Sequence, residues 1–394
     1  MPLSRLPAVP RLLKRRPKPG SGDFSWDYDE YVPGNALSLY VRGRELYPAM
    51  TEAIEAAKHS VHLETYIFDG DNASRAFTEL LAKKAREGVR VRLIYDSVGS
   101  IDMDPIFETR MRNAGVQILE YHPVAPWRTR WAWNRRDHRK ILVCDGRVGF
   151  VGGMNISDEN SPAELGGGDW RDAHLRVEGP AAYDLDRLFR AVWYPETGRW
   201  FESVGDPNAH RGAARVKVAA NQELLKRFVI REGYVNALRA AREEVSIANA
   251  YFIPDWRIRR ALAQAAARGV RVRVMVPGNS DSAAVWHAMR GQYEYMLSHG
   301  VRIYEWQGPM LHAKAVVVDR TWCSVGTYNL DHRSLRHNLE VNLNVMDRAL
   351  AEDVAAHFET GLAGSREITR DEWRRRPWTE HVQERFWSLF DYLF

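Results

Sequence analysis

The sequence predicts an α/β fold made of two similar α/β/α halves, related by internal duplication, with one active site at their interface. Three observations carry that expectation. A helical stretch leading into an apolar strand occurs twice, at 53–58 before 61–68 and at 237–242 before 245–253. A second helical stretch, rich in Ala, Leu and Lys/Arg, ends both times in Gly-Val-Arg-Val-Arg, at 88–92 and 269–273. Finally, His138, Lys140, Asp145, Gly152 and Asn155 are repeated at matched intervals as His312, Lys314, Asp319, Gly326 and Asn329.

Each element has a local cause. The stretches 79–87 and 260–268 have helical periodicity, and the Gly that follows supplies a left-handed C-cap before Val alternation starts a strand. Strands at 116–121 and 301–305 come next, then the His/Lys strands, which turn at Asp145-Gly146 and Asp319-Arg320 into 148–152 and 322–326. Strands alternating with helices give a largely parallel or mixed sheet. Gly205, Asp206, Pro207, Asn208 and Gly212 break the periodicity over 200–215 and place the boundary there. The expected division is a basic tail over 1–33, disordered or in contact with a membrane, a first half over 34–205, a second over 206–365 and an amphipathic aromatic and basic C-terminal segment over 366–394.

The chain has 394 residues, 45% of them apolar and 27% charged, which suits a folded soluble protein with a well-buried core. Cys144 and Cys323 are too few for a disulfide framework and read as small core residues in a reducing compartment. The net charge is +5, unevenly placed: Arg5, Arg11, Lys14, Arg15, Arg16 and Lys18 precede the first acid. Pro2, Pro7, Pro10, Pro17 and Pro19 argue against an amphipathic transit helix, and residues before about Ser21 read as disordered. No run approaches the ~20 apolar residues of a spanning helix, and no signal-peptide apolar region follows the basic residues. The chain is therefore expected on the cytoplasmic side.

Residues two apart in a strand share a face, so His138 projects with Lys140 and His312 with Lys314. Asp145 and Asp319 have the opposite parity at the strand ends and read as turn-forming and structural. Asn155 and Asn329 lie beyond the following strands, where a side-chain amide can donate to a phosphoryl oxygen. A histidine pair flanked by lysines can split and remake a phosphodiester, one His attacking phosphorus and the other handling the leaving group's proton. Neither copy holds both histidines, so the site must be shared. No metal or cofactor is expected.

The double pattern resembles the phospholipase D superfamily from about Gly34 to Gly361. Gly152-Gly153-Met154-Asn155, the run from Gly326 to Ser334, His337-Asn338-Leu339-Glu340 and Tyr251-Phe252-Ile253-Pro254 are similar to the forms found in bacterial cardiolipin synthases. The length and the lack of amino-terminal spanning helices are similar to their short, type B form. The resemblance implies a phosphatidyltransferase in which one His, by analogy His138, forms a phosphohistidine, while the near symmetry of the motifs also allows the two histidines to exchange roles. His312 then moves the alcohol protons, while Lys140, Lys314, Asn155 and Asn329 hold the non-bridging oxygens. It also implies a carboxylate orienting each His: Asp172, in Trp170-Arg171-Asp172, for His138, and Glu340, in Asn338-Leu339-Glu340, for His312. Phosphatidylglycerol is the implied substrate, a second phosphatidylglycerol the acceptor, and glycerol the leaving group. The alternatives are a hydrolytic phospholipase D, a transferase using another polyol or phosphatidylethanolamine, and a phosphodiesterase acting on nucleic acid. A non-catalytic phosphate- or nucleic-acid-binding protein fits less well with both His/Lys sets intact.

Trp127, Trp131 and Trp133 interleave with Arg128, Arg130, Arg135 and Arg136 directly before His138, a mixture suited to the headgroup level of an anionic bilayer. At the other end, Arg374, Arg375 and Arg376 precede a helix with Val382, Phe386, Leu389, Phe390 and Leu393 on one face, extended by Trp387 and Phe394. Such a face either lies in a bilayer interface or packs on the domain. The expected partner is an anionic phospholipid membrane rather than nucleic acid, with the protein peripheral on the cytoplasmic face of a bacterial inner membrane.

Overall fold

The duplicated pattern folds twice in the same way in a computed structural model that describes residues 17–24, 27, 30–128, 130–132, 134–221, 228–280 and 282–388. The first half contains strands β1 (Val32–Tyr40), β2 (Ser60–Thr65), β3 (Arg90–Asp96), β4 (Gln117–Tyr121), β5 (Arg136–Asp137), β6 (Ile141–Cys144), β7 (Val148–Gly152) and β8 (His174–Glu178). Its helices are α1 (Gly43–Ala56), α2 (Asn72–Arg86), α3 (Pro105–Asn113) and α4 (Pro180–Thr197). The second half contains β9 (Ala214–Asn221), β10 (Glu244–Asn249), β11 (Arg271–Pro277), β12 (Arg302–Trp306), β13 (Lys314–Val318), β14 (Trp322–Gly326), β15 (Asn338–Met346) and β16 (Ser365–Ile368). With these go α5 (Val229–Ala240), α6 (Trp256–Ala267), α7 (Ala283–Arg290), α8 (Tyr293–Ser298), α9 (His332–Arg336), α10 (Arg348–Ala363), α11 (Arg370–Arg374) and α12 (Trp378–Ser388).

The strands form one sheet in the order β16-β12-β11-β10-β13-β14-β15-β9-β1-β8-β7-β6-β2-β3-β4. Read outward from the antiparallel β1–β9 contact, the two halves have the same strand order. The sheet is mixed: β2-β3-β4 and β10-β11-β12 are parallel and the remaining neighbours on this path are antiparallel.

Equivalent helices begin and end alike. The Asp71 and Asp255 side chains accept from backbone N–H groups of the first turns of α2 and α6, and Gly88 and Gly269, both at φ 88°, follow the last turns. Asp145 (φ 53°) and Asp319 (φ 50°) make the turns after β6 and β13. The Asp145 carboxylate accepts from the N–H groups of Lys58, His59 and Ser60, and Asp319 from those of Arg242, Glu243 and Glu244. Burial pushes the Asp145 carboxyl up, but these backbone donors outweigh it and hold the group below its usual range. Both aspartates are structural, tying each His/Lys hairpin to the start of the neighbouring strand. Cys144 and Cys323 are buried free thiols.

One apolar cluster crosses the boundary, joining Val151, Leu175 and Val177 to Val325, Val341 and Leu343. Burying such side chains stabilises by roughly 1.5–3 kcal/mol each, so the halves are held as one body.

One expectation about the ends needs correction, and the two alternatives for the C-terminal helix are resolved. Part of the basic tail is docked rather than disordered: Gly20 and Gly22 donate to the Arg239 and Ala240 carbonyls, and Arg239 Nε donates to Pro17 O at 2.7 Å. Phe24 joins the second-half core. Proline and glycine made this stretch look unstructured, but its backbone is satisfied by groups distant in sequence. Arg5, Arg11, Lys14, Arg15 and Arg16 lie outside the described residues. The C-terminal helix packs on the protein: Arg290 of α7 bonds Glu380 and lies 3.5 Å from Glu384, and Trp387 packs against the second-half core. Phe386 stays half-exposed at 52%, and Leu389, Phe390, Leu393 and Phe394 lie outside the described residues.

Candidate active site

His138 lies just ahead of β6 and His312 just ahead of β13, and both line a cavity of about 300 Å³ with Asn155 and Asn329. The duplicated motifs therefore meet at one site. The segments leading to the histidines are held by the opposite half. Strand β5 pairs in parallel with Asn338 and Leu339 of β15, and His138 N–H donates to Leu339 O at 3.1 Å. In the same way Leu311 bridges Arg171, and His312 N–H donates to Arg171 O at 2.7 Å.

This exchange decides the carboxylate partners, and it reverses the expected pairing. Glu340 bonds His138, with both carboxylate oxygens 3.1 Å from Nδ1. Asp172 bonds His312, with Oδ2 2.7 Å from Nδ1. The physical reason is that each carboxylate follows the backbone segment that pairs with the other half's histidine. A carboxylate accepts, so Nδ1 carries the proton in each ring and Nε2 keeps its lone pair for the cavity.

Gly152 and Gly326 make these carboxylate positions possible. A Cβ on Gly152 would lie 2.4 Å from Ala173 O, and one on Gly326 2.2 Å from Val341 O, the residues directly after Asp172 and Glu340. Only a residue without Cβ lets β8 and β15 come this close. The next position differs between halves. Gly153 leaves room for the Asp172 carboxylate, whose Oδ1 would be 2.2 Å from a Cβ there. Thr327 instead donates its hydroxyl to Glu340 Oε2, and Asn338 Nδ2 donates to Oε1 at 3.2 Å.

Lys140 and Lys314 are buried behind the histidines, each Nζ donating to the main-chain carbonyl of its own motif's His. Burial lowers the Lys140 ammonium to about 7 and raises the Glu340 carboxyl to about 7. The His138 imidazole lies well below its ordinary value because it is buried and faces the charges of Lys140 and Lys314. His312 is also lowered, by burial and by Lys314, while Asp172 opposes the shift. Asn155 Oδ1 accepts from Ile67 N–H at 3.2 Å, which turns its amide donors toward the cavity. Among the described residues no three His, Cys, Asp or Glu side chains converge as a metal site would need.

Tyr66, Trp170 and Arg333 also line the cavity, although the repeated His, Lys and Asn pattern does not point to them. The Tyr66 ring meets His138 edge-on at 5.0 Å, and Trp170 and Tyr251 lie 5.4 and 6.4 Å from His312. Tyr66 and Tyr251 follow equivalent strands, so superposing the two repeats would have found the first from the second. The aromatic–arginine loop divides. Trp127 is 86% exposed and Trp131 44%, Arg135 is exposed, and Trp133 lies outside the described residues. Arg128 and Arg130 are paired with Glu120 and Glu196. Arg136, expected at the headgroups, is buried: it donates to Ser97 Oγ and His122 O and lines the cavity. It turns inward because β5 leaves the loop to pair with β15.

A family model described as cardiolipin synthase, phospholipase D-like domain, matches residues 50–193 and 234–361. A cardiolipin synthase of Alkalihalophilus pseudofirmus is 35% identical over 347 residues, covering 87% of this chain and 69% of the relative. A probable cardiolipin synthase of Bacillus subtilis is 33% identical over 357 residues, covering 90% and 71%. In fold, the chain is similar to the crystal structure of phosphatidylserine synthase from Haemophilus influenzae, with a TM-score of 0.67 at 11% identity, covering 92% of this chain and 97% of that one. The chain belongs to the cardiolipin synthase family of phospholipase D-like phosphatidyltransferases.

Proposed function

We propose that the protein transfers a phosphatidyl group from one phosphatidylglycerol to the hydroxyl of another, forming cardiolipin and releasing glycerol through a phosphohistidine. The observation that carries this reading is the crossed pair of carboxylate-held histidines facing one cavity. His138 Nε2 attacks phosphorus, and the bond from phosphorus to the glycerol oxygen breaks as His312, protonated when the anionic substrate is bound, gives that oxygen its proton. His312 then takes the proton of the incoming hydroxyl, whose oxygen displaces His138. Proton and phosphoryl group balance over the two steps, and both imidazoles end as they began.

The two partners suit these roles. Asp172, at 2.7 Å, favours the imidazolium form of His312 that proton transfer needs. Glu340, itself held by Thr327 and Asn338, accepts from His138 Nδ1–H and leaves Nε2 its lone pair, and the nearby lysine charge disfavours protonation of that ring, as suits a nucleophile. Lys140, Lys314, Asn155 and Asn329 stabilise charge growing on the non-bridging oxygens. Among the described residues no helix is long and apolar enough to cross a membrane, and Trp127 is the most exposed large apolar side chain. The exposed Trp127 supports peripheral binding to a membrane surface through its loop, and the reading places that surface at the cytoplasmic face.

Vesicles of headgroup-labelled phosphatidylglycerol, with products separated by thin-layer chromatography, test the reading. Cardiolipin and free glycerol in equal amounts are expected. Phosphatidic acid without cardiolipin would instead establish a hydrolase.

A further inference from the structure

The cavity is two-fold symmetric in its reacting groups but not in the charges around them. Counting on from Asn155 and Asn329, Glu159 and Arg333 occupy the same position in the two repeats, and both line the cavity. The Arg333 backbone is fixed on α9, where Asp331 Oδ1 accepts from Ser334 N–H at 2.7 Å. Its side chain is half-buried, and among the described residues no carboxylate lies within ion-pair distance of the guanidinium and no carbonyl accepts from it, although the Asp331 carboxyl feels its charge. Several other poorly exposed arginines are matched by carboxylates, Arg42 by Asp169, Arg231 by Asp255 and Arg290 by Glu305, while Arg92 and Arg171 donate to the neutral oxygens of Gln117 and His357. The Arg333 charge nonetheless acts inside the site, on His138 and Tyr66.

The reacting phosphate already has two lysines and two asparagines. A transfer between two phosphatidylglycerols, the reading on which this inference rests, brings in a second phosphate. It belongs to the acceptor and lies one glycerol away from the attacking hydroxyl. Bringing that second negative charge out of water beside the first is unfavourable unless a cation meets it. A guanidinium can do so with two parallel N–H···O bonds.

We propose that Arg333 binds the phosphodiester of the acceptor lipid, and thereby selects an anionic lipid alcohol over water and neutral alcohols. Glu159, in the matching position, offers no such contact, so the cavity holds one anionic acceptor rather than two.

The test uses the full chain on phosphatidylglycerol vesicles with a fixed concentration of ethanol, and reads the ratio of cardiolipin to phosphatidylethanol. Both products draw on the same donor and the same reacting groups, so partial loss of folded protein or of donor binding leaves the ratio unchanged. Arg333→Gln is expected to lower the ratio by about ten- to a hundred-fold, the usual range for losing a charge-assisted hydrogen bond. Arg333→Lys should restore part of it, because the charge returns without the fork. An unchanged ratio in Arg333→Gln, with both products falling together, overturns the proposal and assigns Arg333 to the donor or the fold. If the unaltered protein makes phosphatidylethanol but no cardiolipin, the underlying transfer reading has failed, and the acceptor role falls with it.

Discussion

Replacing Asp172 by Asn takes the charge from one end of the His312 hydrogen bond while nearly preserving size. The bond is 2.7 Å long and the carboxylate is fully buried, so solvent cannot substitute for it. With Asp, Nδ1 must carry the proton and Nε2 is free for chemistry. With Asn, the side chain can present its own N–H to Nδ1, which puts the ring proton on Nε2 and blocks the base. Two scales bracket the cost. Loss of a charge-assisted hydrogen bond removes about 1.5–3 kcal/mol, or roughly 10- to 150-fold in rate. A forced wrong tautomer in a Ser-His-Asp triad lowers kcat by about 10⁴. Asp172→Asn should therefore lower turnover by about 10²- to 10⁴-fold. The assay is cardiolipin formation combined with proton NMR of the imidazole N–H groups. The His312 Nδ1–H resonance should move or vanish while that of His138 stays. A variant that perturbs His138 and spares His312, or that keeps activity within a factor of about two, would refute the crossed pairing.

Three further outcomes follow from the same geometry. Gly153→Ala places a Cβ 2.2 Å from Asp172 Oδ1, so it should displace that carboxylate and cost at least about ten-fold in turnover, with the far-ultraviolet circular dichroism unchanged. His174 is buried with neither ring nitrogen partnered among the described residues, and burial lowers it from 6.5 to about 3. The unfolded chain takes up a proton that the fold refuses, so stability is complete above about pH 6.5 and falls by about 2 kcal/mol between pH 7 and pH 5; His174→Gln should flatten this slope in urea titrations. Trp127→Ala should weaken binding to anionic vesicles by about ten-fold in a sedimentation assay while leaving the product pattern intact, and unchanged binding would remove the loop from the membrane contact.

The duplication was legible because it is written twice: the helix–glycine–strand units and the two motifs share spacing, and the sheet reproduces the same strand order in each half. The roles of Asp145 and Asp319 followed from strand parity, which sets the face of a side chain without knowledge of tertiary contacts. The carboxylate partners did not follow. Asp172 is nearer to His138 in sequence, and only the pairing of Leu311 with Arg171, and of β5 with β15, brings each carboxylate to the other histidine. Arg135 and Arg136 show the same limit. They are adjacent and chemically alike, yet the short strand β5 exposes one and buries the other. Residues 17–24 have a composition that favours disorder, and they are ordered by Arg239 and Arg242, more than half the chain away.

Whether the two histidines serve one site is read from the activity of His138→Ala, of His312→Ala and of their mixture on phosphatidylglycerol vesicles. Each variant alone should lose at least about 10³-fold while remaining folded, and the mixture should stay inactive, because both imidazoles must face the same cavity. Half the activity surviving in either single variant would mean that each half works alone, and would contradict the account.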